Sequence, residues 1–591
     1  MSAAAGRDPL RPSPLARALA MAGDGLSGAI LLGLVGSLAV LGHDGLALLL
    51  GLTGGWLLAL ALTAPHLQHA GHLGPTSFVA RRFGRIAAVV AGLIVLAAST
   101  VLLAAELAAL VTAASAIGSI AAPTALAIAA LATLLVSLAV SARGMTRLQA
   151  ALFPLLAAAI SLPVVLPALA AAGVPVPQLT YGAVLQSIST LELKLLGEEL
   201  ADPVSLKAYL RPYTTMTPVG GLLVTLSMAL GLAALPHLLM RPVQAATAHH
   251  GRWALAVGFV LLLLALLALP PLAAAARHGV LAGLVGRAPG ALDPWLLDLG
   301  RAGLVKICGV AATSADAVRE ACEALPDAPP RLRLDDIDIA RDATLLALPG
   351  LIGLPALLPA LAGAVVLAAL AAGAWLVVAL RDDLAGTGTR HAATAEAVEH
   401  GEPEAAARWR RLLAHALTAV VVVAAAAWVS TAPADLATLI AWGLALAAGG
   451  LTPALVAGIW WQRATAAGAV IGMLSGVGLT AYYIFATRYF PIGFYETWGA
   501  LSNAGFGAIA DYEAARDALA AAGDAERMDA MAALETEARR IANWWGVRSI
   551  GAGVLGAGVG SLLLVIVSAV TPRPSASAQL LVERMRGIGA D

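Results

Sequence analysis

The sequence predicts an all-α polytopic membrane protein with about twelve transmembrane helices, and three observations support this prediction. Of the 591 residues, 60% are hydrophobic and only 12% are charged, too little polar surface for a soluble protein of this size. About twelve apolar runs approach the roughly 20 residues that a helix needs to cross a bilayer. Two of these runs contain polar residues together with glycine or proline, as in helices that open to form a binding site.

The apolar runs form two groups of five spans, followed by two more spans. They cover residues 18–42, 45–65, 85–116, 120–142, 146–172, 218–240, 252–276, 353–381, 411–431, 435–461, 465–487 and 547–571. We expect a tail at 1–17, a five-helix repeat at 18–172, an external loop at 173–217, a second repeat at 218–461 with an external loop at 277–352, extra helices at 462–571 with an external loop at 488–546, and a tail at 572–591. An odd number of spans turns the second repeat upside down, so span 1 corresponds to span 6 and span 3 to span 8.

The distribution of arginine predicts the orientation in the membrane. The arginines between spans fall on one side: Arg81, Arg82, Arg85, Arg143, Arg147, Arg241, Arg252 and Arg463. Because positively charged loops stay in the cytoplasm, we expect both termini to be cytoplasmic, in the inner membrane of a bacterium. The 36 basic and 36 acidic residues form no basic stripe, so the lipid bilayer is an expected partner and nucleic acid is not.

Span 1 is interrupted near its start by Gly23, Asp24, Gly25 and Ser27. Polar groups inside a span are costly unless the helix opens and they face protein or a water-filled cavity. The carbonyl oxygens of Gly23 and Leu26 would then be available to a hard cation such as sodium. Asp24 and Ser27 are candidates for binding the substrate or the coupling ion. Alternatively, Asp24 marks a cytoplasmic cavity or caps the second half-helix.

Span 6 carries the matching interruption, with Gly231, Pro236 and His237. Free backbone groups at such a break can hold a small ion or anion in the middle of the membrane. His237 and Arg241 on one face would attract an anionic solute, which makes the three interrupting residues substrate-site candidates. The alternative is that His237 and Arg241 only cap the helix and anchor it at the interface.

Glu106 lies inside the apolar span 3. An ionisable group in this place predicts a function, either as a proton-binding site or as the partner of an arginine on the transport pathway. Alternatively, because Glu106 is nearer the outer end of the span than its middle, its carboxylate reaches a wet vestibule.

The loops predicted to be external have structural interpretations. Cys308 and Cys322 fall in the same loop and form either a disulfide or two free thiols, since their Cα separation cannot be read from the sequence. The charged, alanine-rich stretch Asp511–Ala542 predicts a solvated surface helix.

Glycine and histidine patterns elsewhere also favour structural roles. Two successive GxxxG steps at 468–476 predict close helix packing. His66, His69 and His72 recur every third residue, but proline and glycine between and after them favour a loop over a metal site. We therefore expect no metal centre.

Several longer motifs share a further pattern. They are AMAGDGLSGAILLG at 20–33, HDGLALLLGLTGGWLLALALTAPHL at 43–67, GLAALPHLLMR at 231–241, GIWWQRATAAGAVIGMLSG at 458–476, NWWGVRSIGAGVLG at 543–556 and TPRPSASAQLLVERMR at 571–586. Together they resemble the sodium:solute symporter family in its acetate-permease-like branch. The resemblance implies a LeuT-type fold, cation-coupled uptake of a small monocarboxylate such as acetate, and, as in some relatives, a small membrane subunit as partner.

One departure from the family bears on the coupling ion. The family completes its sodium site with adjacent hydroxyl residues in span 8, and these positions align with Leu367 and Ala368. No Ser or Thr occurs between Leu345 and Gly386. Because the carbonyls of Gly23 and Leu26 alone would leave a sodium ion short of ligands, the sequence argues against sodium coupling here.

The expected function is cation-coupled symport of a small organic anion by alternating access, with a sodium ion or a proton as the coupling ion. The alternatives are a proton-coupled or uncoupled carrier of the same fold, with Glu106 or Asp24 as the proton site, and a membrane sensor or scaffold that does not transport. No span gathers a nucleophile, a histidine and a carboxylate, so an enzyme is not expected.

Overall fold

A computed structural model of the protein describes residues 12–70, 73–118, 120–202, 206, 208–245, 247–325, 330–386, 404–431, 434–523 and 526–586. Long apolar helices make up most of these residues. The protein is therefore a polytopic all-α membrane protein, as its composition predicts. A small three-stranded sheet in one loop is an addition that the sequence analysis missed.

The segment expected to form the first repeat is mainly helical. Its elements, with the helix that follows them, are α1 (Pro14–Gly25), α2 (Gly28–Leu41), α3 (Leu46–Leu58), α4 (Ala64–His69), α5 (Pro75–Phe83), α6 (Arg85–Gly118), α7 (Ala122–Ala139), α8 (Ala142–Ala172) and α9 (Pro177–Gly197). A 3-10 turn at Gly42–Gly45 joins α2 to α3, and a π-helical turn at Ala59–Thr63 joins α3 to α4. Ser27 caps α2 by accepting a hydrogen bond from the Ile30 N–H.

The loop expected around the three histidines is helical in part. His66 and His69 lie in α4, so the loop prediction is wrong for these two residues. Pro65 does not prevent the helix, because it stands in the first turn, where an N–H group has no helical partner to lose. His72 lies outside the described residues.

The second repeat contains a folded loop between its second and third spans. The elements are α10 (Pro218–Leu232), α11 (Pro236–Val243), α12 (Ala248–Leu266), α13 (Leu269–Gly283), α14 (Pro294–Arg301), β1 (Val305–Ile307), β2 (Val310–Ala311), α15 (Ala315–Glu323), β3 (Ile337–Ile339), α16 (Thr344–Leu351) and α17 (Leu358–Leu384). The strands are antiparallel in the order β2-β1-β3. Cys308 and Cys322 form a disulfide with their Cα atoms 5.2 Å apart, which resolves the open alternative.

The remaining elements complete the second repeat and add the carboxyl-terminal helices. They are α18 (Glu404–Val429), α19 (Leu436–Gly450), α20 (Thr452–Trp460), α21 (Ala466–Tyr489), α22 (Pro491–Trp498), α23 (Phe506–Ala521), α24 (Arg527–Ile541), α25 (Ala552–Val570) and α26 (Ala576–Met585). The prediction of a single surface helix at 511–542 is wrong, since α23 and α24 are separate helices that pack together through Tyr512 and Leu534. Gly523 lies between them, where glycine is a poor helix former.

Among the described residues, eight helices are long and apolar enough to cross a membrane, or up to ten if each of two bent helix pairs is one span. This number is lower than the twelve runs in the sequence for two reasons. Helices α2 and α3, which the 3-10 turn at Gly42–Gly45 joins, count together as the one span Gly28–His69, and predicted span 9 contributes only the shorter apolar helix His415–Val429.

Burial distinguishes central from peripheral helices. The apolar window of Pro355–Leu384 is 72% buried, whereas that of Ala122–Ala139 is 22% buried, so α17 lies in the centre and α7 at the periphery. Glycine allows the closest contacts, as the GxxxG pattern predicts. A Cβ atom added to Gly476 of α21 would lie 2.1 Å from the Gly449 carbonyl oxygen of α19.

Candidate functional site

The first broken span opens at two residues. Helix α1 ends at Gly25 and α2 begins at Gly28, so Leu26 and Ser27 form the break. The Leu26 N–H donates to the Gly23 carbonyl oxygen at 3.2 Å, which occupies one of the predicted cation ligands. The predicted interruption is therefore present, and it is a tight turn rather than a long unwound segment.

Glu106 of α6 lies against this break. Its Oε2 accepts a hydrogen bond from the Ala29 N–H at 3.2 Å. The side chain is buried rather than extended to a wet vestibule. Because the N-terminus of a helix carries partial positive charge, the Glu106 carboxylate and Ser27 together complete the start of α2.

The second break itself consists of the apolar residues 233–235. Helices α10 and α11 are bent by 44° at the break 233–235. The Thr63 hydroxyl donates to the Ala233 carbonyl oxygen at 2.9 Å, and the Thr452 hydroxyl donates to the Leu230 carbonyl oxygen at 2.9 Å. The π-helical turn before α4 places Thr63 at this break. Side-chain donors thus satisfy carbonyl groups here, whereas no side chain caps α11 at Leu235.

The three predicted residues of this span have different surroundings. Gly231 packs against α19 so closely that an added Cβ atom would lie 1.9 Å from the Leu444 carbonyl oxygen. Pro236 is the first residue of α11. The His237 carbonyl oxygen accepts a hydrogen bond from the Trp375 indole at 2.7 Å, and the His237 Nδ1 atom is buried without a hydrogen-bond partner.

A buried ion pair joins the two broken spans. Arg241 Nε lies 2.6 Å from Asp24 Oδ2, and a second guanidinium nitrogen of Arg241 lies 3.2 Å from Oδ1. The Asp24 side chain is 8% exposed and that of Arg241 is 1% exposed. The pair connects α1 of the first repeat to α11 of the second, and Arg17 reinforces this contact by donating to the Arg241 carbonyl oxygen at 2.9 Å.

Side chains from two further spans enclose the ion pair. Arg241 donates to the Thr146 hydroxyl at 2.8 Å and to the Gln149 side-chain oxygen, and the Gln149 amide donates to Asp24. The guanidinium carbon lies 3.8 Å from the centre of a Trp375 ring. We call these five residues the Asp24–Arg241 cluster. Stacking and multiple hydrogen bonds are what a charged pair needs in a dry interior.

Sequence reasoning found Asp24 and noted Arg241 but missed the other members of the cluster. Thr146 and Gln149 were visible as polar residues at the start of span 5. Trp375 was visible as an indole inside span 8. Treating every polar residue inside a span as a possible partner of polar residues in other spans would have included these residues. It could not have shown which of them contact each other.

The candidate sodium ligands do not converge on the first break. Directly after the break, an added Cβ atom at Gly28 would lie 2.5 Å from the Ala369 Cβ atom, so α17 faces the break with Ala369. Leu367 is 48% exposed and lies on another face of α17, and Ala368 is buried. Ala369, which faces the break in place of the predicted Leu367 and Ala368, is also apolar. At this position, too, α17 offers no hydroxyl ligand. Among the described residues, no group of three or more His, Cys, Asp or Glu is arranged to hold a metal ion.

Comparisons with known proteins agree with a transporter. A protein of Cupriavidus necator named an uncharacterized symporter is 26% identical over 365 residues, which are 62% of this chain and 44% of that relative. The matched part of the chain thus spans less than half the length of the relative. No protein-family model matches the chain.

The fold is similar to that of a Na⁺-coupled sialic acid symporter solved in a substrate-bound, outward-open state. The TM-score is 0.57 with 11% sequence identity, and the match covers 96% of this chain and 91% of the other. The structural likeness shows a LeuT-type transporter fold. With the sequence relative, it supports a secondary transporter rather than an enzyme.

Proposed function

We propose that the protein is a secondary active transporter that moves a small organic anion, such as acetate or another monocarboxylate, by alternating access around the two broken spans. The observation that carries the proposal is the buried ion pair between Asp24 and Arg241, which joins the two repeats. Transport in inverted-repeat folds requires one repeat to move against the other around a fixed site. A contact between half-helices of the two repeats is where such movement must act.

The ion pair closes the arginine-rich side of the molecule, which we propose to be cytoplasmic. The half-helices on that side are α1 and α11, and they meet through Asp24 and Arg241. For a solute to leave there, α1 must separate from α11 and both charges must become hydrated. Hydration recovers much of the energy of two charges that part, so a buried pair can serve as a gate that opens reversibly.

The second break is the proposed site for the anionic group of the substrate. Thr63 and Thr452 already donate to its carbonyl groups, while the start of α11 has no side-chain cap. The N-terminus of a helix favours an anion because its N–H groups and its dipole point toward the ligand. His237, with its unpartnered Nδ1 atom, adds a polar group at the same place.

A proton is the proposed coupling ion. Arg241 already supplies positive charge to Asp24, and α17 presents no hydroxyl ligand to the first break. Glu106 instead places a carboxyl group at the start of α2, where the Ala29 N–H donates to it. A buried carboxyl at the break between α1 and α2 can take up a proton in one state of the movement and release it in the other.

The test is uptake of radiolabelled acetate by proteoliposomes, with an imposed proton gradient in one set and an imposed sodium gradient in the other. The variant Glu106→Gln removes the titrating carboxyl but keeps a hydrogen-bonding side chain. The matched control is Glu198→Gln, because Glu198 follows the end of α9, is exposed and pairs with the exposed Lys194. We expect a proton gradient to drive uptake by the parent and by the control but not by Glu106→Gln.

Other outcomes would contradict parts of the proposal. Uptake driven by sodium and unaffected by Glu106→Gln would refute proton coupling while leaving transport intact. Absence of uptake of acetate and other monocarboxylates under both gradients, together with co-purification of another protein, would refute the transport proposal and favour a sensor or scaffold.

A further inference from the structure

A cavity of about 540 Å³ lies between α5 and the carboxyl-terminal helix α26, away from both breaks. Its polar lining consists of three arginines and two serines, namely Arg81, Arg82, Arg584, Ser575 and Ser577. None of the described residues that line this cavity carries a carboxylate. Guanidinium groups without an acidic neighbour favour an anion, and their planar set of donors matches the oxygens of a phosphate group.

Arg82 is held in position by the protein itself. Its side chain is 4% exposed, and one of its terminal nitrogens donates to three carbonyl oxygens, the closest being that of Ala464 at 3.0 Å. The Arg82 Nε atom is buried and has no hydrogen-bond partner. Arg81 is also anchored, since it donates to the Ala70 carbonyl oxygen at 2.9 Å. Two of the three guanidinium groups are therefore positioned before any ligand arrives.

The cavity lies at the level where spans end. Helix α6 begins at Arg85, α21 begins at Ala466, and α25 ends at Val570. Ala466 itself lines the cavity, as does Leu580, which is half exposed on α26. The ends of spans mark the boundary between the hydrocarbon core and the lipid headgroups, so the cavity opens at the depth of the phosphate groups of the bilayer.

We propose that this cavity binds the phosphate group of an anionic phospholipid. Free phosphate has the same chemistry, but the depth of the cavity and the exposed Leu580 favour a lipid whose acyl chains lie against the helices. Basic pockets between helix ends on the cytoplasmic side are the kind of site that holds such headgroups. This inference is independent of the proposed transport function.

The test measures binding to the delipidated full-length protein in detergent, with three probes. They are phosphatidylglycerol, which is anionic, phosphatidylcholine, whose phosphate is neutralised within the headgroup, and inorganic phosphate. The variant Arg81→Gln/Arg584→Gln removes two cavity charges and spares Arg82, which the fold uses. The matched control Arg516→Gln/Arg527→Gln removes two charges from the distant helices α23 and α24.

We expect the parent and the control to bind phosphatidylglycerol more tightly than phosphatidylcholine, and the cavity variant to bind phosphatidylglycerol about 10- to 30-fold more weakly than the parent. If inorganic phosphate binds as tightly as phosphatidylglycerol and loses affinity in the same variant, the phosphate chemistry is supported and the lipid source is overturned. Equal binding of phosphatidylglycerol by the cavity variant and the parent, or no binding of any probe by the parent, would overturn the site.

A second pair of variants keeps the test valid if the double glutamine variant does not fold. Arg81→Lys/Arg584→Lys retains both charges and is expected to keep the preference for phosphatidylglycerol. Arg584→Gln alone changes only an exposed residue near the end of α26 and is expected to weaken binding about fivefold. Unchanged binding in that single variant would also overturn the site.

Discussion

The two broken spans occupy corresponding places in the two repeats, yet side chains complete them in opposite ways. At the first break, Glu106 and Ser27 satisfy N–H groups at the start of α2. At the second break, Thr63 and Thr452 satisfy carbonyl groups near the end of α10. The first break is thus completed by acceptors and the second by donors.

This difference assigns different ligands to the two breaks. A carboxylate already occupies the anion-attracting start of α2, so an anionic substrate would have to displace Glu106 there. The start of α11 has no side-chain cap and remains the better place for an anion. The Asp24–Arg241 pair then couples the two broken spans, because each span contributes one charge to it.

The largest expected effect follows from removing one charge of this pair. Arg241→Met leaves the Asp24 carboxylate buried and unpaired, which costs about 3–5 kcal/mol of folding free energy. We expect the variant to show a much lower melting temperature in detergent, or no folded protein. Asp24→Asn/Arg241→Met should recover much of this loss, because neither charge is then left alone.

A matched control separates the buried pair from a general effect of losing an arginine. Arg287 pairs with Asp293 at 2.8 Å, but both side chains are more than a third exposed. Arg287→Met should therefore cost less than about 1 kcal/mol. Equal destabilisation by Arg241→Met and Arg287→Met would show that the pair does not join the breaks as described.

Glycine substitutions compare the packing of the two breaks. In Gly231→Ala the new methyl group would lie 1.9 Å from the Leu444 carbonyl oxygen, and this backbone atom cannot move without shifting α19. In Gly25→Ala the methyl group meets only the end of the Leu262 side chain, which can rotate. We expect a loss of about 1–3 kcal/mol for Gly231→Ala and less than about 1 kcal/mol for Gly25→Ala, measured by thermal unfolding. The reverse order would mean that the first break is the more tightly packed.

The sequence was sufficient to predict the positions of the two breaks but not the way in which they are completed. Glycine or proline beside polar residues inside a span indicates a place where the helix can open, and a carboxyl such as Glu106 is conspicuous inside a span. The contact between Asp24 and Arg241 joins residues 217 positions apart, so it depends on how the repeats pack. The prediction that Leu367 and Ala368 of α17 face the first break failed for another reason. Successive residues of a helix point about 100° apart, so a small error in alignment selects another face.

A pH-dependent contact is expected beside α2, the second half of the first broken span. Arg341 and Asp342 form a turn that lies against α2, and the Leu436 N–H donates to Asp342 Oδ2 at 3.1 Å. Burial, with a smaller contribution from Asp435, raises the pKa of Asp342 to about 7 from 3.8. The folded protein therefore keeps a proton that the unfolded chain loses, and this stabilising contribution is full below about pH 4 and is lost as the pH rises to about 7.

Asp342→Asn should remove this dependence while keeping an acceptor for Leu436. Since a shift of one pKa unit corresponds to about 1.4 kcal/mol and the carboxyl is partly exposed, we expect the parent to lose on the order of 1–2 kcal/mol between about pH 4 and pH 7 relative to the variant. Thermal unfolding of both proteins across this range measures the difference. Parallel pH profiles would contradict the assignment, and α2 would then be no more sensitive to pH than α1, which Arg241 holds.

The smallest expected effect tests whether donors complete the second break. Thr63→Val keeps the shape of the side chain but leaves the Ala233 carbonyl without its hydroxyl partner, which should cost about 1 kcal/mol. Thr112→Val is the matched control, since the Thr112 hydroxyl donates to the Ala108 carbonyl within its own helix, where the backbone N–H ladder already serves that group. Thermal unfolding should therefore show a loss for Thr63→Val and almost none for Thr112→Val. If both variants are as stable as the parent, the second break does not depend on a donor, and its carbonyl groups would be as available to a cation as those of the first break.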